Sequence, residues 1–275
     1  MTPEEWRAEL NWQTRYALAS RMLDRPAHME RFAQQTAYVT DGVRPAFVAA
    51  GTEQLRQARR VGLMAGSYNP LTLAHVALAE AARRAAKLDI AWALTAVTVD
   101  KERVTRASLP QRLAQLVVYI GATIREDQSA DALVILAHGL YVEQAQAMRT
   151  LMTPDAELVI IVGFDKIVQI FDSRYYDDRE AALRALFAQA RLLVAPRDGQ
   201  GEADLRALLG RPENQPYAQY VTYCPLDAAY ATDSSTEARQ LAATMTPDEI
   251  AESPVLRRLL PPEGVALAAT GAYAG

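Results

Sequence analysis

The sequence predicts an α/β protein: a Rossmann-like, doubly wound parallel sheet with an N-terminal helical extension. Two observations lead to this fold class. From residue 60 onward, short apolar runs alternate with stretches of helical periodicity, which is typical of parallel strands covered by helices on both faces. Half of the 275 residues are hydrophobic, enough to bury a core on each side of such a sheet.

The segment before residue 60 is predicted to be helical. Apolar residues such as Trp6 and Tyr16 recur at roughly helical spacing, and the pattern resumes after Pro26. We therefore divide the chain into a helical extension, residues 1–59, and an α/β domain, residues 60–275.

The strands and helices of the α/β domain follow from the same alternation. Strands are predicted at VGLMA (61–65), IAWALTAVTV (90–99), ALVILA (132–137), ELVIIVG (157–163) and RLLVAP (191–196). Helices are predicted at AHVALAEAARRAA (74–86), residues 109–120, VEQAQAMRTLM (142–152) and REAALRALFAQA (179–190). After Met245 the sequence is punctuated by prolines, and we expect one or two short helices and a frayed end.

Composition excludes several classes of partner. The net charge of −4 is small, so no nucleic acid partner is predicted. No apolar run is long enough to cross a bilayer, and the N-terminus MTPEEWRAEL is acidic and polar, unlike a signal peptide. We therefore predict a cytoplasmic protein without membrane contact. The single cysteine, Cys224, excludes an internal disulfide, and with three histidines we expect no metal site built from the protein's own side chains.

The stretch VGLMAGSYNPLTLAH, residues 61–75, is the first candidate for function. The strand is predicted to end at Ala65, followed by a turn over residues 66–70, and a helix is predicted to begin near Leu73 or Ala74. Free N–H groups and the positive end of the helix dipole favour an anion there, so the turn is predicted to hold phosphate, with His75 donating to it. The alternative is an ordinary strand-to-helix turn with a capping or solvated histidine.

Two further polar stretches follow predicted strands or begin predicted helices. In IIVGFDK, Gly163 ends a strand and Asp165 can accept hydrogen bonds from ribose hydroxyls; the alternative is a helix cap. In TDSSTEAR, three hydroxyls precede Arg239 on a helix start, a combination suited to polyphosphate. The alternative there is a capping box formed by Ser234 and Glu237.

Together these stretches resemble a known signature. GSYNPLTLAH, VGFD and SSTEAR, in this order and spacing, look like the nucleotidyltransferases with a G-x-F-x-P-x-(H/T)-x-x-H turn and an S-S-T-x-x-R helix start. Over residues 60 to 270 the chain is most similar to nicotinamide and nicotinate mononucleotide adenylyltransferases. The resemblance implies that a 5′-phosphate oxygen of the mononucleotide attacks the α-phosphorus of ATP, pyrophosphate leaves and a dinucleotide of NAD biosynthesis forms. Mg²⁺ is expected to bridge the ATP phosphates, mostly through water.

The resemblance also implies roles for single residues. His75 and Arg239 are implied to be catalytic, with His75 on the α-phosphate and Arg239 on the departing pyrophosphate. The residues implied to bind ATP are Gly66, Ser67, Thr72, His75, Gly163, Asp165, Ser234, Ser235, Thr236 and Arg239. Those implied to contact the acceptor are Ser67, Tyr68, Lys101, Arg112, Tyr141, Tyr175 and Tyr176.

Some positions depart from the family pattern. Thr72 stands where many nucleotidyltransferases carry a first histidine, which favours the nicotinamide branch. Tyr175 and Tyr176 stand roughly where a tryptophan would stack on the pyridine ring. Lys101 and Arg112 match a basic pair near the acceptor, and solvated side chains are the alternative for both.

Two other functions remain open. One is nucleotidyl transfer to another phosphorylated acceptor, and the other is a nucleotide-binding protein without turnover. The partners implied are ATP and a mononucleotide, and the resemblance is compatible with a homo-oligomer.

Overall fold

The computed structural model describes residues 3–96, 107–127, 131–231 and 234–274. A seven-stranded sheet of order β1-β4-β3-β2-β5-β6-β7 forms the centre of the molecule. The strands are β1 (Ala46–Ala50), β2 (Arg60–Gly66), β3 (Asp89–Thr95), β4 (Ala132–Leu136), β5 (Glu157–Gly163), β6 (Arg191–Ala195) and β7 (Val221–Tyr223). All neighbours pair in parallel except β1, which runs antiparallel to β4 at the edge. The predicted Rossmann-like α/β class is confirmed.

Helices connect the strands and cover both faces of the sheet. The first seven are α1 (Pro3–Leu23), α2 (Pro26–Thr40), α3 (Thr52–Gln57), α4 (Leu73–Ala86), α5 (Leu109–Asp127), α6 (Tyr141–Arg149) and α7 (Phe164–Phe171). The remaining seven are α8 (Arg179–Phe187), α9 (Glu202–Leu209), α10 (Ala228–Ala231), α11 (Ser235–Ala242), α12 (Pro247–Glu252), α13 (Pro254–Leu259) and α14 (Pro262–Ala269). Within the described residues, no helix is both long and apolar enough to cross a membrane.

The order of the strands places a crevice at the middle of the sheet. From β2 the chain builds outward through β3 and β4, and it then returns to the other side of β2 with β5, β6 and β7. The carboxyl ends of β2 and β5 therefore lie next to each other at the point where the winding reverses. Ligands of doubly wound sheets bind outside the strand ends at such a point.

Strand side chains alternate between two hydrophobic layers. On β3, Ile90, Trp92 and Leu94 pack into the layer formed with α1, α2, α4, α5 and the C-terminal helices. Ala91 and Ala93 face the opposite layer, which contains α3 and α6 to α9. Successive side chains of a strand point to opposite faces of the sheet, so one continuous apolar run supplies side chains to both cores. Both faces are buried, and the run therefore does not alternate with polar residues.

The N-terminal segment differs from the prediction at one place. Helices α1 and α2 agree with it, and they pack against α5 and α14. However, residues 46–50 (AFVAA) form β1, which pairs with β4 as an edge strand. The prediction that residues 1–59 are helical throughout is therefore wrong at β1, and a boundary at residue 59 stays a prediction.

The C-terminal segment is more ordered than predicted. Three helices, α12 to α14, follow Met245, and α14 is almost fully buried. Tyr273 is 3 % exposed, and its hydroxyl donates to Oδ1 of Asn69 at 3.2 Å. A Cβ on Gly264 would lie 2.6 Å from the carbonyl oxygen of Leu71, so α14 packs directly against the turn that follows β2. The predicted frayed end is wrong for the described residues, because the tail supports this turn.

Candidate functional site

A cavity of about 390 Å³ lies at the carboxyl ends of the central strands. It is lined by the carboxyl ends of β2, β3, β5 and β6, by the segments that follow β2, β4, β5 and β6, and by the starts of α4 and α11. The predicted residues that line it are Gly66, Ser67, Tyr68, Thr72, His75, Tyr141, Gly163, Asp165, Tyr175, Tyr176, Ser234, Ser235 and Thr236. Arg112 and Arg239 are not among the lining residues, and Lys101 lies outside the described residues.

Side-chain donors hold the carbonyl oxygens of the turn after β2. Five consecutive carbonyls accept a hydrogen bond, those of residues 66 to 70, and the donors are Thr95 Oγ1, Arg112 Nη1, Gln115 Nε2, Arg239 Nη1 and Ser235 Oγ. The three middle donors belong to residues that do not line the cavity. The carbonyls of Ser67, Tyr68 and Asn69 therefore point into the protein, so their negative ends are turned away from an anion in the cavity.

Arg112 and Arg239 hold the turn through its backbone, and their predicted contacts with substrate stay predictions. Arg112 is 5 % exposed, and its Nη1 donates to the Ser67 carbonyl at 2.9 Å while its Nε donates to Ala107. Arg239 is 8 % exposed, and its Nη1 donates to the Asn69 carbonyl at 2.6 Å. Both guanidinium groups therefore fix the backbone of the turn that lies between β2 and α4.

Tyr68 also supports the site through its ring. Its backbone has a φ of +42°, a left-handed conformation that only its surroundings maintain in a bulky residue. Its hydroxyl donates to the Met64 carbonyl, and complete burial raises the pKa of the phenol far above its ordinary value. The ring lines the cavity and meets the imidazole of His75 edge-on, with the centroids 5.2 Å apart.

Thr72 and His75 form a reciprocal cap at the start of α4. The N–H of Thr72 donates to His75 Nδ1 at 3.1 Å, and Thr72 Oγ1 accepts from the backbone N–H of His75 at 3.3 Å. This is the geometry of a capping box with histidine in the third helical position. The imidazole is therefore both a cap and a part of the cavity wall.

The hydroxyls at the start of α11 take part in the protein's own hydrogen bonds. Ser234 Oγ accepts from the N–H of Glu237 at 3.1 Å, as the capping alternative predicted for Ser234. Ser235 Oγ donates to the Pro70 carbonyl at 2.9 Å, and Thr236 Oγ1 accepts from Arg239 at 3.0 Å. Each hydroxyl keeps part of its hydrogen-bonding capacity. The bond from Ser235 also brings the start of α11 against the turn before α4.

Asp165 lies in the first turn of α7 and is not its cap. Gly163 occupies the N-cap position of α7 and makes no side-chain cap. The side chain of Asp165 is 45 % exposed, and its Oδ2 lies 3.4 Å from Nζ of Lys166. A Cβ on Gly163 would come within 2.8 Å of Asp165 Oδ1, so glycine leaves space for this carboxylate at the carboxyl end of β5.

Tyr141, Tyr175 and Tyr176 form an aromatic part of the cavity wall. The Tyr176 hydroxyl donates to the Ile170 carbonyl at 3.0 Å, and burial raises its pKa to about 12. Burial and the nearby charge of Asp165 raise the pKa of Tyr141 as well. The guanidinium of Arg174 lies 5.9 Å from the centroid of the Tyr175 ring. The rings of Tyr141 and Tyr176 therefore stay neutral near pH 7.

Several lining residues were not identified from the sequence. Arg197 and Lys166 bring positive charge to the wall, and Tyr230 adds a ring. Gln144 Nε2 donates to the carbonyls of His138 and Gly139, which holds the β4–α6 loop. Arg197 could have been found, because it follows the strand run RLLVAP at the same edge as the other motifs. Gln144 could not, because its role depends on two carbonyls that the sequence pattern does not mark.

The family model described as Cytidylyltransferase-like matches residues 63–241. A Bordetella petrii protein named "Probable nicotinate-nucleotide adenylyltransferase" is 30 % identical over 141 residues, which cover 51 % of this chain and 67 % of that protein. Among solved structures, the fold resembles Plasmodium falciparum nicotinic acid mononucleotide adenylyltransferase complexed with NaAD, at a TM-score of 0.53 and 13 % identity, covering 78 % and 97 % of the two chains. The same Plasmodium enzyme complexed with APC matches at a TM-score of 0.50 and 13 % identity, covering 76 % and 94 %.

These two structures support the fold, whereas the family model spans the motif residues of the cavity and confirms the nucleotidyltransferase resemblance. The chain belongs to the cytidylyltransferase-like family of nucleotidyltransferases.

Proposed function

We propose that this protein transfers the adenylyl group of ATP to nicotinate or nicotinamide mononucleotide, forming the dinucleotide and pyrophosphate. The observation that carries the proposal is the convergence of two helix starts on one cavity. The turn before α4 is joined to the first turn of α11 by the bond from Ser235 to Pro70, and the first turns of both helices line the cavity that contains Asp165. Helix N-termini favour anions, so paired starts suit a polyphosphate.

The reaction needs positioning and charge stabilisation more than it needs a covalent intermediate. A bond forms between a 5′-phosphate oxygen of the acceptor and the α-phosphorus, and the bond from that phosphorus to the leaving pyrophosphate breaks. His75 would donate to the α-phosphate as charge builds there, and the clamped turn would hold phosphate against α4. Arg112 and Arg239 would contribute by fixing the carbonyls of this turn, as positioning residues.

The remaining walls suit the two nucleosides. Asp165 offers carboxylate oxygens to ribose hydroxyls at the end of β5, and Gly163 gives it room. The rings of Tyr141, Tyr175 and Tyr176 can pack against a pyridine ring. The similarity to a nicotinate-nucleotide adenylyltransferase supports a pyridine mononucleotide as the acceptor.

We propose that Mg²⁺ accompanies ATP and neutralises the pyrophosphate as it leaves. Among the described residues, no group of three or more His, Cys, Asp or Glu side chains could hold a metal ion. Asp165 is the carboxylate found among the described lining residues. One carboxylate fits an ion held mainly by phosphate oxygens and water, which is how Mg²⁺ commonly binds with nucleotides.

The proposal is tested by incubating the purified protein with ATP, Mg²⁺ and either mononucleotide while dinucleotide and pyrophosphate are measured. We expect product with at least one acceptor, and a loss of about 10²- to 10³-fold in kcat for His75→Ala, the effect of removing one donor to a developing charge. His138→Ala is the matched control, because His138 is half-exposed and is not among the lining residues. Pyrophosphate release only with other phosphorylated acceptors would show that the acceptor is not a pyridine mononucleotide. ATP binding without turnover would contradict the proposed adenylyl transfer.

A further inference from the structure

The contacts of His75 determine which ring nitrogen can carry a proton. The backbone N–H of Thr72 lies 3.1 Å from His75 Nδ1, and a backbone N–H can only donate. Nδ1 must therefore present its lone pair to Thr72. A neutral imidazole with an acceptor at Nδ1 carries its proton at Nε2.

The hydroxyl of Thr72 strengthens the same arrangement. Thr72 Oγ1 accepts from the N–H of His75, so its own proton is available to donate, and it lies 2.7 Å from Nδ1. Both donors of Thr72 thus converge on one nitrogen. Thr72 is 1 % exposed, and this burial protects the bonds from competition with water.

The ring is also held from a second direction. Tyr68 meets it edge-on, and the Tyr68 ring is itself packed against Trp92 with the centroids 5.9 Å apart. His75 lines the cavity and its Nδ1 is directed at Thr72 at the start of α4, so we infer that the other ring nitrogen, Nε2, faces the cavity. The polar contacts of Thr72 and the packing of Tyr68 together restrict both the orientation and the tautomer.

We propose that Thr72 is a positioning residue that fixes His75 as the neutral Nε2–H tautomer, so that the imidazole presents a hydrogen-bond donor to the substrate phosphate without being charged. The resemblance assigned Thr72 to ATP itself, and the geometry assigns it to the histidine. The catalytic part of this inference rests on the proposed function. The tautomer does not, because it is a property of the protein before any substrate binds.

The tautomer is measured directly by ¹⁵N NMR of the imidazole nitrogens above pH 7.5, where an ordinary histidine with a pKa of about 6.5 is neutral. The chain has three histidines, and the His75 signals are assigned as those missing from a His75→Gln variant. We expect a protonated Nε2 and an unprotonated Nδ1 in the wild-type protein and in Thr72→Ser. A protonated Nδ1, or signals averaged between two tautomers, in the wild-type protein would overturn the proposal.

Removal of the hydroxyl should then affect turnover more than binding. Removing a hydrogen-bond donor to a developing charge lowers kcat by about 10²- to 10³-fold. Thr72→Val keeps the His75 donor and only misaligns it, so we expect a loss of about tenfold in kcat. The KM for ATP should change by less than about twofold. Because the variant keeps the backbone N–H of residue 72 and loses only the hydroxyl, its ¹⁵N signals should shift part of the way toward a mixture of tautomers, and Thr72→Ser should restore both the signals and kcat. Unchanged spectra and unchanged kcat in Thr72→Val would remove the hydroxyl from the mechanism.

Thr246→Val is the matched control. Thr246 caps α12 through the same reciprocal geometry, with its N–H donating to Glu249 Oε2 at 2.8 Å, and it does not line the cavity. Thr246→Val should lower the melting temperature, because the helix loses its N-cap, and it should leave kcat and the His75 signals unchanged. If turnover is absent in the wild-type protein and in every variant while the wild-type tautomer is as expected, the proposed function fails and the tautomer assignment stands.

Discussion

The guanidinium of Arg239 holds the carbonyl oxygen of Asn69 at a distance of 2.6 Å, although the two residues are 170 positions apart. This bond joins α11 to the turn after β2, and the Nη2 of the same side chain donates to Thr236 at 3.0 Å. An arginine that the motif places near phosphate is thus bonded to the backbone of the turn after β2, and its predicted contact with phosphate stays a prediction. Measuring the stability of an Arg239 variant without nucleotide separates the contribution of this bond from that of direct phosphate binding.

We predict that Arg239→Ala destabilises the folded protein by about 1–3 kcal/mol or more, because the buried carbonyl of Asn69 loses its donor. Urea unfolding monitored by circular dichroism measures this loss in the absence of nucleotide. Arg206→Ala is the control, since Arg206 is exposed and pairs with Glu202 on the surface of α9, and it should change stability by no more than about 0.5 kcal/mol. If Arg239→Ala weakens ATP binding and leaves unfolding unchanged, the arginine contacts ATP directly.

The structure makes a second prediction about Gly163 and Asp165. A methyl group on Gly163 would lie 2.8 Å from Asp165 Oδ1, so Gly163→Ala should displace this half-exposed carboxylate without unfolding the chain. We expect Gly163→Ala and Asp165→Asn each to weaken nucleotide binding by about 10- to 100-fold, the effect of losing a hydrogen bond to a charged group. Isothermal titration calorimetry with ATP measures both.

The double variant makes this prediction sharper. If Gly163→Ala acts by displacing Asp165, the double variant should bind no more weakly than Asp165→Asn alone, because the two changes remove the same interaction. Gly121→Ala in α5 is the matched control, since a Cβ there meets nothing within 4 Å. Additive losses of ATP-binding free energy in the double variant would show that the methyl group acts directly on the ligand or on the backbone at the end of β5.

The sequence predicted the location of the site better than the roles of its residues. The strands and the motifs were found because apolar runs and turn residues are local features, and in a parallel sheet all carboxyl ends meet at one edge. The bonds of Arg112 and Arg239 to the turn were not predicted, because the carbonyls that they bind are 45 and 170 residues away. No local pattern distinguishes an arginine that binds phosphate from one that binds a carbonyl.

Two parts of the fold were missed for related reasons. β1 is a five-residue run, AFVAA, in which three of the five residues are alanine, a residue that is depleted in strands, and its pairing with β4 comes from tertiary contact. The C-terminal tail was predicted to fray because it is rich in proline and small residues. Its small residues instead permit close packing, since Gly264 lets α14 approach the backbone of Leu71.

A third prediction concerns the ion pair that ties the N-terminal helix to the C-terminal one. Arg15 in α1 donates to both carboxylate oxygens of Glu263 in α14, at 2.8 and 3.0 Å, and the Glu263 side chain is fully buried. Removing the cation leaves an unpaired buried carboxylate, so Arg15→Ala should cost about 3–5 kcal/mol of folding free energy. Chemical denaturation measures the loss.

The exposed pair Arg174 and Asp172 provides the comparison for Arg15, because the side chain of Arg174 is 80 % exposed. Arg174→Ala should change stability by about 0–1 kcal/mol, as is usual for surface ion pairs. A loss in Arg15→Ala no greater than that in Arg174→Ala would mean that α1 contributes little to holding α14.

The fourth prediction uses Cys224, the single cysteine, as a probe of the core. The side chain is buried, and burial raises the pKa of the thiol from its ordinary value of 9.0 to about 11. The thiolate is the reactive form, so the native protein should react with a thiol reagent such as DTNB far more slowly at pH 8 than the urea-unfolded chain does. Equal rates in the two states would contradict the burial of this residue.

The raised pKa of Cys224 also sets a pH dependence of stability. The folded chain keeps the thiol proton up to about pH 11, whereas the unfolded chain releases it near pH 9, so unfolding is favoured as the pH rises through this range. The stabilisation is complete below pH 9 and is lost between pH 9 and about 11. Tyrosines titrate in the same range, and the comparison with Cys224→Ala removes their contribution. The difference in unfolding free energy between the wild-type protein and this variant should therefore be constant from pH 7 to 8.5 and fall above pH 9, and a difference that stays constant to pH 11 would show that the thiolate forms without cost in the native core.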